Sequence, residues 1–95
     1  MDMKEVYQKK IRAQLDKWNA EIDKLKARAE NTDADTRIKY QKKIQELRSM
    51  QEKAERKLAE LKEARDGAWE DLKTGIENAK DALGEALQSA RSRFK

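Results

Sequence analysis

Paired lysines such as Lys9-Lys10 and Lys42-Lys43 are the first side chains here that invite a chemical reading, because phosphate contacts need basic groups clustered on one face. Acidic residues interleave with them nearly everywhere. Lys17 with Glu21, Arg48 with Glu52 and Arg56 with Glu60 stand four apart, the spacing of ion pairs that support a helix surface. The pattern reads as a solvated helix face, and a net charge of +4 adds only a weak basic bias. Specific nucleic-acid binding is not expected.

Catalytic chemistry finds less support still. The chain has no cysteine and no histidine, which excludes disulfides, Cys/His zinc sites, thiol nucleophiles and imidazole acid-base catalysis. An acid-base pair of carboxylates needs burial or a cleft to move one pKa, and narrow helical seams offer neither. No serine has a histidine or cysteine partner. Gly67, Gly75 and Gly84 stand isolated within helical repeats, so they form neither a P-loop nor a dinucleotide fingerprint. No catalytic, cofactor-binding or metal-ligating residue is assigned, no cofactor is expected, and the chain is not expected to be an enzyme.

What remains is the architecture that positions these charges. With 37% hydrophobic and 44% charged residues among 95, the chain can bury narrow helical seams but hardly a wide core. Tyr7, Ile11, Leu15, Trp18, Ile22, Leu25 and Ala29 follow spacings of four and three, the seam of a heptad coiled coil. The pattern stops at Glu30 to Asp35. There Asn31 is placed to close the first helix in the left-handed region, and Thr32 with Asp35 forms a variant of the capping box. A second seam follows through Tyr40, Ile44, Leu47, Met50 or Gln51, Ala54, Leu58 and Leu61. In an antiparallel hairpin, facing residue numbers add to a nearly constant value; these two seams pair at about 65.

From Leu61 the period changes. Leu61, Leu72, Leu83 and Phe94 lie eleven apart, as do Ala68, Ala79 and Ala90. An eleven-residue repeat gives roughly 3.67 residues per turn, close to a straight helix. Ile76, Leu87, Gly75, Ala82 and Ala86 widen this stripe, and Gly75 on it would let another helix approach closely. The candidate interaction surface is therefore Trp69, Leu72, Ile76, Leu83, Leu87 and Phe94. Trp69 lies at the stripe's flank. It is expected to cover the open end of the hairpin near Met3 and Val6, the alternative being an exposed anchor.

The expected fold is all-α in a single helical domain, residues 1–95: an antiparallel coiled-coil hairpin plus a C-terminal amphipathic helix, making a slender three-helix bundle. Its helices span about residues 3–30, 33–64 and 67–94, with Asp66 as N-cap of the third and the bend at Gly67. In the alternative, helix two runs straight through Gly67 and the chain dimerises along the extended part. In the bundle, Ile11, Ala54 and Ala79 form a thinly filled layer.

The segment Ala68 to Lys73, AWEDLK, followed by such repeats and preceded by a charged helical hairpin, resembles small bacterial coiled-coil proteins described only as stress-related or uncharacterised. That resemblance implies a soluble, non-enzymatic helical protein without a cofactor. The eleven-residue repeat also resembles the amphipathic repeats of exchangeable apolipoproteins, which implies reversible lipid-surface binding. The expected partners are accordingly a second copy or another helical protein, with a lipid surface as the alternative. No apolar run approaches a membrane span or signal-peptide core, and a cytoplasmic location is the default.

Overall fold

The computed structural model describes residues 3–65 and 67–93. They form three helices, α1 (Met3–Glu30), α2 (Ala34–Glu63) and α3 (Trp69–Arg93), with no strand among the described residues. The chain is an all-α three-helix bundle. It measures 51 × 20 × 19 Å, with a radius of gyration of 15.4 Å. A rounder domain of this length would give ~12 Å, so the helices lie side by side and the core is long and narrow rather than wide.

The first turn is built from caps. Asp33 is extended and accepts a hydrogen bond from the Thr36 backbone N–H at 2.9 Å, which makes it the N-cap of α2. Hydrogen bonding from Thr36, by its side chain first and its backbone N–H second, holds the Asp33 carboxyl below its ordinary range. Thr32 acts on the other helix. Its hydroxyl donates to the Ala29 carbonyl at 2.8 Å, and the Arg37 guanidinium donates to the carbonyls of Glu30 and Thr32. Together with the backbone N–H groups of Asn31 and Thr32, which donate to the Arg28 and Ala29 carbonyls, these side chains satisfy the orphan carbonyls at the end of α1. No described residue adopts positive φ, which corrects the expected left-handed Asn31, and Asp33 rather than Thr32 caps α2, which corrects the expected capping box of Thr32 with Asp35.

Contacts between α1 and α2 then climb one helix while descending the other. Lys4 Nζ donates to the Ala64 carbonyl at 3.0 Å, Arg12 meets Glu55, Gln51 meets Leu15 and Arg48 meets Asn19. This is the order produced when α2 returns along α1 after a short turn. Lys4 places a cation on the last carbonyls of α2, where the helix dipole favours positive charge.

α2 stops at Glu63, since Ala64 is extended at φ −73° and ψ 141°. A continuous second helix is therefore excluded. The Ala68 N–H donates to the Arg65 carbonyl at 2.9 Å, and α3 begins at Trp69. Gly67 has no positive φ, and a Cβ there would meet nothing, so the bend makes no steric demand for glycine. The expected cap, Asp66, lies outside the described residues.

The core is one continuous column. Ile11, Leu15, Ile22 and Leu25 from α1, Tyr40, Leu47, Leu58 and Leu61 from α2, and Ile76, Leu83 and Leu87 from α3 are all buried. In the layer expected to be thin, Ile11 and Ala54 are buried while Ala79 is only partly so. At the ambiguous seam position Gln51 is buried, while Met50 packs against the core only partly buried. No helix among the described residues is long and apolar enough to cross a membrane.

Candidate interaction surface

The eleven-residue stripe, the candidate interaction surface, is directed at the chain's own hairpin. Ile76, Leu83 and Leu87 are buried, while Trp69 and Leu72 are half-buried against the same core. Phe94 lies outside the described residues. Inward burial follows from the turn at Ala64–Ala68, which folds α3 back so that its stripe closes the apolar face of α2.

At the end of the bundle nearest that turn, α1 and α3 are clasped by a polar and aromatic cluster. The Tyr7 hydroxyl donates to Glu77 Oε1 at 2.7 Å. The Trp69 ring stands edge-on to Tyr7, with centroids 5.5 Å apart, and Lys73 Nζ lies over both rings at 5.4 and 5.3 Å. Lys80 reaches Glu77 Oε2 at 3.1 Å. The hydrogen bond from Tyr7 pulls the Glu77 carboxyl below its ordinary range, with Lys80 adding to the effect. Burial first, and Glu77 second, push the Tyr7 hydroxyl well above its own. Trp69 therefore covers Tyr7, while Met3 and Val6 remain exposed. The cluster escaped the sequence reading because Tyr7 was assigned to the α1/α2 seam, whereas it faces α3.

Further along, α1 and α3 separate. They touch far less than either touches α2, and a groove of about 880 Å³ opens between them, bordered by Gln14, Glu21, Arg28, Glu85, Gln88 and Arg91. Trp18 and Leu87 contribute to its floor. Trp18, read from sequence as a seam residue, is only half-buried and lies against α3 at Gly84. A Cβ on Gly84 would stand 3.2 Å from two ring atoms, whereas one on Gly75 would meet only Lys57 Nζ at 3.6 Å. Gly75 thus shows no close helix approach, and the tighter contact lies at Gly84, made by an indole ring. Arg91 bridges the groove to Glu21 at 3.6 Å.

The groove sets Trp18 and Leu87 within a rim of charged and polar side chains. Among the described residues, no group of three or more acidic, histidine or cysteine side chains is placed to hold a metal ion. Compared with known proteins, the chain matches no family model, no curated protein sequence and no solved structure.

Proposed function

We propose that this chain is a non-enzymatic helical interaction module that works through helix-on-helix contacts, as a scaffold or stress-related accessory protein. The α1/α3 groove carries the reading. Two helices that each pack well on α2 leave a gap between themselves, with a partly buried tryptophan lining it. Aromatic side chains at the centre of a concave, polar-rimmed surface are the usual anchors of protein interfaces. A helix laid in the groove would cover Trp18, and the mixed charges of Glu21, Arg28, Glu85 and Arg91 would set its direction.

The simplest occupant is a second copy. Sedimentation equilibrium over a wide concentration range should show reversible association that Gln14→Arg with Gln88→Arg abolishes at unchanged helicity. A photo-reactive residue at Gln88 should cross-link copies through the groove. A chain that stays monomeric throughout, and that cross-links no better from Gln88 than from outward-facing Lys53, would remove the basis for this reading.

The lipid-surface alternative asks α3 to leave the hairpin, exposing Ile76, Leu83 and Leu87, at roughly 1.5–3 kcal/mol for each buried aliphatic side chain. A lipid surface would have to return that energy. Vesicle flotation, with Trp69 emission followed in a Trp18→Phe background, separates the two readings.

A further inference from the structure

The fold brings together positive charge that the sequence keeps far apart. Lys39, Lys42 and Lys43, at helical spacings of three and four, share one face of α2. The end of α3 delivers Arg93 to the same place, and with Glu46 these residues line a cleft of about 580 Å³. Glu46 accepts from Lys43 Nζ at 3.4 Å. Lys39, Lys42 and Arg93 make no ion pair among the described residues.

Ion pairs hold some of the other cations. Arg12 pairs with Glu55, Arg48 with Asp23, Lys80 with Glu77 and Arg91 with Glu21. Four cations against one carboxylate around a single cleft is a local excess that the interleaved sequence conceals. Like charges three and four apart also oppose the helix that carries them, and within the trio only Lys43 has an ion pair one turn away to offset this. Arg93 has a separate structural reason, since it ends α3 where the helix dipole favours a cation.

We propose that this cleft is a binding site for a phosphate-dense anion, one that presents two or more phosphate groups within a few ångströms. A guanidinium can grip one phosphate with two parallel hydrogen bonds, and ammonium groups act as point charges on its neighbours. No aromatic ring lines the cleft among the described residues, and the nearby Tyr40 is buried, so nothing there reads a nucleobase. The recognised chemistry is phosphate alone. It can be supplied by a soluble polyphosphate or by a multiply phosphorylated lipid headgroup.

The test titrates the full chain with inorganic triphosphate by calorimetry, and separately with vesicles carrying a bisphosphorylated inositol lipid. Saturable binding in the first arm identifies a soluble ligand; binding in the second arm alone identifies a headgroup. Lys42→Glu with Arg93→Glu should weaken binding about tenfold or more. Lys17→Glu with Lys53→Glu makes the same change in net charge elsewhere and should weaken it by no more than about twofold at moderate salt. If the Arg93 variant is unfolded by circular dichroism, Lys39→Gln with Lys42→Gln replaces it with the same expectation. Equal loss in both charge-reversed variants, or no saturable binding in either arm, overturns the proposal.

Discussion

The indole edge of Trp18 occupies the space beside Gly84 that a side chain would need: a Cβ there would stand 3.2 Å from both Cζ2 and Cη2 of the ring. Alanine in place of a helical glycine gains about 1 kcal/mol of backbone stability. At Gly84 part of that gain is spent moving the ring by a few tenths of an ångström, which the open groove permits. At Gly75 the new methyl would meet only a flexible lysine tip at 3.6 Å. Gly75→Ala should therefore raise the urea midpoint more than Gly84→Ala. Only Gly84→Ala should shift Trp18 emission in a Trp69→Phe background. Equal gains without an emission change would show that Trp18 is not held against α3.

Tyr7 and Glu77 predict a pH profile of defined sign. The Glu77 carboxyl is held low, chiefly by the tyrosine hydroxyl, so its contribution is present above the unfolded carboxylate value of ~4.3 and is lost as pH falls through the folded one. The Tyr7 hydroxyl is pushed up, chiefly by burial, so its contribution is present below ~10 and is lost as pH rises through the folded value. Tyr7→Phe should flatten both limbs in chemical denaturation and cost about 1 kcal/mol at neutral pH, a modest figure because the pair is partly solvated. A variant with unchanged limbs would place the pH dependence elsewhere.

Ile76 is fully buried, whereas Leu72, one turn earlier on α3, is only half-buried. Ile76→Ala should cost about 3 kcal/mol and Leu72→Ala clearly less. Because α3 is joined to the hairpin through a single turn, hydrogen exchange in Ile76→Ala should accelerate in α3 before it does in α1 and α2. Uniform acceleration would mean that the bundle opens only as a whole.

The parts of this fold legible in the sequence are those that one helix's period determines. Leu15, Ile22, Leu47 and Leu58 repeat at three and four and are buried, and the change of period after Leu61 coincides with a third helix. Features that depend on how helices meet were not legible. Tyr7 and Trp18 fit the α1/α2 seam by spacing, yet both turn to α3, because a seam residue at the edge of a three-helix bundle can face either neighbour. At Asn31 no left-handed residue is needed, because the backbone N–H groups of Asn31 and Thr32, the Thr32 hydroxyl and the Arg37 guanidinium satisfy the last α1 carbonyls. The phosphate cleft joins residues about fifty positions apart, beyond the reach of any local pattern.

Gln51 is the polar exception in the α1/α2 seam, 4% exposed, with Nε2 donating to the Leu15 carbonyl at 2.9 Å. Its Oε1 is buried and has no partner. Replacing a half-satisfied buried amide with an apolar side chain of similar volume removes the desolvation cost, so Gln51→Leu should raise stability by about 1–2 kcal/mol. Specificity should move the other way. Two heptad seams also align after a slip of one heptad, and a buried polar residue helps to specify one register. Arg48, bonded to Asn19 and Asp23, gives a second mark of that register. Gln51→Leu with Arg48→Ala should therefore broaden the distance distribution between spin labels at Gln8 and Ala59, which flank one α1/α2 groove. A loss of stability in Gln51→Leu would show instead that the Oε1 acceptor is satisfied in solution, making the amide a stabilising part of the core.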